Sequence, residues 1–451
     1  MDPRSDRIDA LLKSLPELDW CVNPAEVKRK SLDYYWFSPV LRRELEAKSA
    51  DAVVRPRHAE ELREIVSGCV REHLPLTLRG GGTGNYGQAI PLDGGVVIDM
   101  TACDQLLWLE RGVARAQAGI KLGVLNGLLE PDGWELRCMP STFRMATLGG
   151  LFCGGFGGIG SITYGPLSAP GTVLGIKLMT VEAVPQVIEL RAPEAMQHAH
   201  AYGTNGIILE LEIALAPAHE WEEYLVAFRD ADAAFDCGQS VAQTPGLIKR
   251  ETAFFDASVA AYFKKLSPHL AAGEHALILV ISSSNRETLE TFVNQAGGRI
   301  AFRQSGATAK SEQHTLLEYC WNHTTLHALR SDRSLTYLQT TYEYGREREQ
   351  LASIGRLTGG EVLNHVEFIR DELGRVICSG LPLVRFTTEN RLRELIALHR
   401  ECGIDVKDPH VYVLEEGSRR GAMSPASLAA KRRFDPGGLL NPGKIRSWVN
   451  T

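Results

Sequence analysis

The chain of 451 residues lacks an excess of either charge: 49 Lys and Arg against 55 Asp and Glu leave a formal net charge of −6. That balance cannot supply the broad basic surface that a nucleic-acid backbone demands, so nucleic acid is excluded as the expected partner. Long hydrophobic runs are also missing. The strongest, Ala276 to Ile281, is strand-length, far short of the roughly 18–20 residues of a membrane span. The opening MDPRSDRIDA is acidic early and has no apolar core after a basic start. It does not read as a secretory leader, and a cytoplasmic address is expected. Nine cysteines, at 21, 69, 103, 138, 153, 237, 320, 378 and 402, form no C-x-x-C pair. Neither a disulfide frame nor a zinc site is implied, and they read as reduced thiols.

Glycine is abundant and unevenly placed. Of 43 glycines, five fall in GGGTGNYG at 80–87 and ten between 149 and 175. Glycine in such density costs backbone entropy, so it marks positions where the chain must take positive φ or approach another group closely. Ahead of the first cluster, Ala52 to Arg55 reads as a strand, Arg57 to His73 as a helix with Leu62, Ile65, Val66, Cys69 and Val70 on one stripe, and Leu76 to Leu78 as a second strand. The loop Arg79-Gly80-Gly81-Gly82-Thr83-Gly84 then turns several N–H groups toward one point, an anion nest without lysine. No Gly-Lys-Ser/Thr follows, so it is not a nucleotide-hydrolysing P-loop. The second cluster, Thr147 to Ser161, is too glycine-rich to predict a stable helix. It suits a backbone wrapped around a flat, extended ligand.

Further on, Val96 to Met100, Leu106 to Glu110, Val113 to Ala118, Thr172 to Val181 and Ile207 to Leu215 read as strands. From Glu220 the texture changes. Strands such as His275 to Ser282, Glu361 to Ile369 and Val376 to Val384 alternate with helices, including Asn285 to Gln295, a long one from about Glu312 to Leu329, and Glu389 to Glu401. The tail carries two Pro-Gly turns, DPGG and NPG, which fix tight reversals. The organisation expected is an N-terminal helical segment at 1–44, a glycine-rich α+β domain at 45–217, a second α+β domain at 218–419 and a C-terminal segment at 420–451 that packs back onto the first.

Taken in order, Arg79 to Gln88 (RGGGTGNYGQ), Pro91 to Met100 (PLDGGVVIDM), Thr147 to Gly158, Tyr164-Gly165, Val173 to Gly175, Gly203 to Ile208 (GTNGII) and Phe434 to Lys444 (FDPGGLLNPGK) resemble the vanillyl-alcohol oxidase/p-cresol methylhydroxylase superfamily of FAD-dependent oxidoreductases. The similarity is to its bacterial FAD-linked oxidase and D-hydroxyacid dehydrogenase branches. It implies a PCMH-type fold: two FAD-binding subdomains plus an α+β cap with an antiparallel sheet. By the same resemblance, Arg79, Gly80, Gly81, Gly82, Thr83, Gly84 and Gln88 would hold the FAD diphosphate. Thr147, Gly149, Gly150, Gly154, Gly157, Gly158 and Ser161 would line diphosphate and isoalloxazine, with Pro140, Ser141 and Thr142 near the flavin. Ile208 would lie on the adenine side, and Asn441 would return to the flavin from the tail. Thr83 stands where histidyl-linked members have His, and Phe143 where doubly linked ones have Cys, which favours non-covalent FAD. The metal motifs of D-hydroxyacid dehydrogenases are absent; their nearest remnants are Asn364-His365-Val366-Glu367 and Glu415-Glu416-Gly417. No metal is expected.

A hydride-removing flavin site also needs a group that takes the substrate proton, and His and Tyr suit that task. His410 and Tyr412 share a face if Asp408 to Tyr412 is a strand, and they shortly precede the tail. His365 and Glu367 alternate onto one strand face, lining a cavity or facing solvent. His323 and His327 share a helix face, as pocket lining or ordinary packing. Arg385 either pairs with a substrate carboxylate or is a surface charge. Tyr34 to Phe37 reads as core or a contact with a second copy, so a homo-oligomer stays open. The expected activity is an FAD-linked dehydrogenase or oxidase that passes hydride from a C–H next to an alcohol, phenol or amine to flavin N5. Oxygen, a quinone or a redox protein would accept the electrons. Alternatives are NADPH-driven flavin reduction of MurB-like type, or a flavin-containing electron-transfer or binding protein without its own substrate.

Overall fold

A computed structural model describes residues 3–416 and 423–448. The β-α-β unit that precedes the first glycine loop builds a four-stranded sheet in the order Trp20–Cys21, Ala52–Val54, Val96–Asp99, Leu76–Arg79, with the last three parallel. Helix Ala59–Arg71 makes the crossover, and its stripe of Leu62, Ile65, Val66 and Cys69 is fully buried on that sheet. Burial of such side chains contributes about 1.5–3 kcal/mol each. Helix Pro3–Ser14 adds Ile8, Leu11 and Leu15 to the same core and lies so close that a side chain at Gly68 would meet Leu11 at 2.5 Å. The N-terminal segment is therefore not wholly helical, because Trp20–Cys21 pairs at the sheet's edge.

A second, antiparallel sheet runs Leu106–Glu110, Val113–Gln117, Ile207–Pro217, Val173–Met179, Val187–Arg191, with Trp134–Leu136 paired to the end of Ile207–Pro217. Between the two sheets the tail comes home. After helix Pro425–Phe434, the Asp435 carboxylate accepts the Leu439 and Leu440 N–H groups, closing the DPGG turn. Leu440 then bridges to Leu76, and the Asn441 N–H donates to Leu76 O at 2.6 Å.

The cap is an eight-stranded antiparallel sheet ordered Arg299–Ser305, Trp221–Phe228, His275–Ser282, Lys249–Phe255, His365–Arg370, Val376–Gly380, Gln339–Thr341, Asp405–Lys407. Helices Ala231–Gln243, Arg286–Gln295, Glu347–Thr358 and Glu389–Glu401 cover one face. The other face packs on Phe263, Tyr319 and the N-terminal Phe37. Burial on both faces is why His275–Ser282 reads as an unbroken apolar run: Leu277, Leu279 and Ile281 point to the helices, Ala276 and Ile278 the opposite way.

Several elements depart from the sequence reading. Glu361 to Ile369 divides into Val362–Leu363 and His365–Arg370, and Val376 to Val384 into Val376–Gly380 and Leu383–Arg385, the shorter piece of each joining a separate three-stranded sheet with Leu335–Tyr337. The expected helix over 312–329 is instead a 3-10 turn at Leu316–Tyr319 and a shorter helix Asn322–Leu329, parted where Trp321 takes φ +55°. The second glycine cluster does contain a helix, Leu148–Gly154, started by Thr147, whose hydroxyl accepts the Gly150 N–H at 3.2 Å. Asp408 to Tyr412 is not a strand; the sheet ends at Lys407. The boundary expected at 419/420 and Gly417 lie outside the described residues. No helix among the described residues is long and apolar enough to cross a membrane.

Candidate functional site

The two glycine stretches meet. A side chain at Gly80 would strike Thr147 Oγ1 at 2.1 Å, and one at Gly81 would strike the Met145 carbonyl oxygen at 2.0 Å, while Gly82 takes φ +63°. Only residues without Cβ permit that approach. Gln88 ties the stretches together, its Nε2 donating to Gly154 O at 2.7 Å. The tail braces this loop from behind: Asn441 Nδ2 donates to Gln88 O at 2.9 Å and Tyr202 O at 2.6 Å, and Lys444 Nζ to Gly87 O at 2.5 Å.

In front of the joined stretches lies a cavity of about 280 Å³. Its floor is Gly80 to Gly84, Gly149, Gly150, Gly154, Gly155 and Gly157, with Leu78, Met100, Gly203 and Ile208 toward one end. The cap supplies the opposing wall: Trp321, Asn322, His323, Leu326, then Gln339, Thr340, Thr341, Ser379, Leu381 and Lys407. Tyr34 and Phe37 close a side. The N–H groups of Gly81, Gly82, Thr83 and Gly84 donate to no acceptor among the described residues, which leaves them for an anion. Among the described residues no Asp or Glu lines the cavity, whereas Arg79 and Lys407 do.

Burial keeps the cavity's imidazole, thiol and several phenol groups neutral. The His323 imidazole is pushed down to about 4, chiefly because it is buried and secondarily because His327, Arg330 and Arg144 lie nearby. His200, exposed at the rim, donates its Nδ1–H to Gly155 O at 3.1 Å. Burial lifts the Cys153 thiol to about 12 and raises the Tyr86 and Tyr202 hydroxyls. Tyr86 OH accepts from Gln339 across the cavity. Trp321, at the hinge of the broken helix, adopts a backbone conformation that costs a non-glycine residue about 1–3 kcal/mol. Buried carboxylates compensate: Glu367 Oε1 accepts its N–H at 2.5 Å and Glu251 Oε2 its indole N–H at 3.0 Å.

Of the expected cofactor residues, Arg79 to Gly84, Gln88, Pro140, Ser141, Thr142, Thr147, Gly149, Gly150, Gly154, Gly157 and Ile208 line this cavity. Gly158, Ser161 and Asn441 stand one layer behind: Gly158 against the Met139 carbonyl, Ser161 capping the Gly158 N–H at 3.0 Å, and Asn441 on the loop carbonyls. Among the expected catalytic residues His323 lines it; the others do not. His410 is buried elsewhere, its nitrogens 2.8 Å from Ser38 Oγ and 3.0 Å from Tyr337 O, because the turn after Lys407 directs it to the N-terminal segment. Tyr412 packs near Leu45 and Ile90 with Lys444 Nζ 5.2 Å from its ring centroid. His365 and Glu367 do share a face, but that face is sealed by Phe255 and Trp321 rather than open. Arg385 is exposed and pairs with Asp332 at 3.3 Å. His327 stacks on Tyr319. Glu415 accepts the Arg446 and Ser447 N–H groups. Among the described residues no cluster of three His, Cys, Asp or Glu has a metal-binding arrangement. Sequence reasoning missed Trp321, Lys407, Tyr86, Tyr202 and His200; the glycine-flanked position of His200-Ala-Tyr202-Gly203 is the one local signal that pointed there.

Residues 50–183 match the family described as FAD binding domain. The glycolate oxidase subunit GlcD of Bacillus subtilis is 27% identical over 196 residues, 41% of each chain. D-lactate dehydrogenase of Archaeoglobus fulgidus is 24% identical over 278 residues, 59% of this chain and 61% of that one. D-2-hydroxyglutarate dehydrogenase of Escherichia coli is 37% identical over 133 residues, 28% of this chain and 13% of that one. The chain thus spans less than two thirds of these relatives. In three dimensions it is similar to alkyldihydroxyacetonephosphate synthase over 97% of its length and 85% of that chain (TM-score 0.72, 16% identity) and to a variant of Physcomitrella patens BBE-like 1 over 96% and 98% (TM-score 0.66, 15% identity). The fold is the PCMH-type FAD-binding fold with an α+β cap, and the cofactor is FAD. The cavity fits that group: flat glycine floor, unpaired loop N–H groups for a diphosphate, and apolar Leu78, Met100 and Ile208 at one end.

Proposed function

We propose that this protein is an FAD-dependent oxidoreductase that oxidises a hydroxylated, anionic small molecule, with His323 as the proton acceptor. One observation carries the reading: a neutral imidazole on the cap wall lines, with a glycine floor, a cavity that holds cationic side chains and, among the described residues, no carboxylate. Bound FAD supplies the two-electron acceptor. The chain's own groups do the rest. The loop N–H groups of Gly81 to Gly84 and the helix start at Thr147 bind the cofactor's negative charge. His323, uncharged at neutral pH, takes the proton of the substrate hydroxyl as the neighbouring C–H is broken. Lys407, whose Nζ lies 4.3 Å from the Phe156 ring centroid, attracts a substrate carboxylate. Trp321, Leu326, Tyr34 and Phe37 exclude water.

The names of the relatives favour 2-hydroxy acids, and the charge of the cavity agrees, since a protonated amine would meet no counter-charge. Thr83 and Phe143 favour FAD held without a covalent bond. The test is the visible spectrum of purified protein before and after acid precipitation, followed by anaerobic addition of 2-hydroxy acids, plain alcohols, phenols, amines and NADPH in turn. Flavin left in the supernatant and bleaching by a hydroxy acid are expected. Folded protein that takes up no FAD defeats the reading, and bleaching by NADPH alone reverses the direction of electron flow.

A further inference from the structure

Behind the cap wall, Glu251 and Glu367 stand on the adjacent strands Lys249–Phe255 and His365–Arg370, 1% and 0% exposed. Both serve Trp321, one at its indole and the other at its backbone N–H. His365 Nε2 lies 2.8 Å from the same Glu367 oxygen, its ring stacked on Phe255 at 4.5 Å. The second Glu367 oxygen is buried without a partner, and burial together with the neighbouring Glu367 carboxyl pushes the Glu251 carboxyl well above the usual carboxylate range. Two bare carboxylates so close in a dry interior cannot both stay ionised. The remaining ionisable neighbours bring no cation: the Cys320 thiol is raised by burial, and Glu223 accepts from Gln304, Thr315 and the Leu316 N–H.

We infer that Glu251 and Glu367 form a carboxyl pair sharing one proton which, with His365, clamps Trp321 in its left-handed conformation and so positions the His323 imidazole. The inference rests on the reading of His323 as proton acceptor. Trp321 is the residue from which helix Asn322–Leu329 departs, and its carbonyl accepts the Thr324 N–H at 3.1 Å. Its φ therefore sets where His323, two residues on, projects. On its other side the indole occupies the space a Gly157 side chain would need, 3.1 Å from such a Cβ. The clamp thus registers the cap against the second glycine stretch. Glu251, Glu367 and His365 are positioning residues; none lines the cavity.

Infrared spectra of the FAD-loaded protein in D2O at neutral pH test the shared proton. A protonated-carboxyl C=O band is expected in the wild type and is expected to vanish in E251Q. In kinetics, E251L is expected to lower kcat ~10-fold or more while KM changes less than ~2-fold. E251Q, which keeps a neutral hydrogen-bonding head, is expected to restore most of that loss. Should E251L fail to fold, W321F, which keeps the ring and loses its N–H, is expected to reduce kcat in the same manner. A missing band, or one that survives in E251Q, overturns the shared proton; wild-type kcat in E251L or W321F overturns the positioning role. If H323A turns over like the wild type while the band behaves as stated, the base assignment fails and the carboxyl pair stands.

Discussion

His323, the proposed base, is kept in its neutral form by its surroundings. Burial and neighbouring positive groups hold its pKa at about 4, so it is neutral over the physiological range and gains a proton only in acid. The rate of flavin reduction is therefore expected to be flat above about pH 5 and to fall as pH drops through about 4, read by anaerobic stopped-flow absorbance. His323→Ala is expected to slow that step roughly 10²-fold or more at neutral pH. Gly81 carries the complementary constraint on the floor. A methyl group there would sit 2.0 Å from a carbonyl oxygen, so Gly81→Ala is expected to cost about 1–3 kcal/mol of stability and to release flavin on gel filtration. The glycines were legible in the sequence because their density has a single physical excuse, close backbone approach. The base was not. Which of 13 histidines faces the cavity depends on contacts far apart in sequence: His410 is turned away by a bond to Ser38, 372 residues earlier.

At the level of elements, periodicity located the crossover helix, the strands Val173–Met179, Ile207–Pro217 and His275–Ser282, and Glu389–Glu401 within a residue or two, since each of these buries a regular stripe. It misjudged 312–329, where the break at Trp321 is stabilised by Glu367, 46 residues on, and no local pattern announces it. It also misjudged Leu148–Gly154, whose cost in glycine is offset by the Thr147 cap and by packing of Leu148, Leu151 and Phe152. The C-terminal tail was foreseen to pack specifically, and its side chains say how. Asn441 is buried at φ +44° with its amide on two loop carbonyls. Asn441→Ala is expected to destabilise by about 1–3 kcal/mol, measured by urea denaturation, and to weaken FAD retention although the residue does not line the cavity.

For the molecule as a whole, several histidines are buried in neutral form. His323 and His327 are lowered to about 4 and His365 to about 3, each mainly by burial. Their unfolded value is about 6.5, so the unfolded chain binds more protons between about pH 6.5 and 4. The stability these groups contribute is complete above about 6.5 and is lost as pH falls toward about 4. His327→Phe removes one such group outside the cavity and is expected to shallow the decline by up to about 1.4 kcal/mol per pH unit, checked by denaturation across that window.

The brace from Asn441 to residue 88 crosses 353 positions of chain, and that from Lys444 to residue 87 crosses 357. On a translating ribosome the first glycine loop emerges long before the side chains that hold it in place. At about 5–20 residues per second the delay is on the order of 20–70 s. Cofactor capture is therefore expected to wait for the tail, and a nascent chain halted short of residue 441 is expected to display a finished glycine floor that retains no colour.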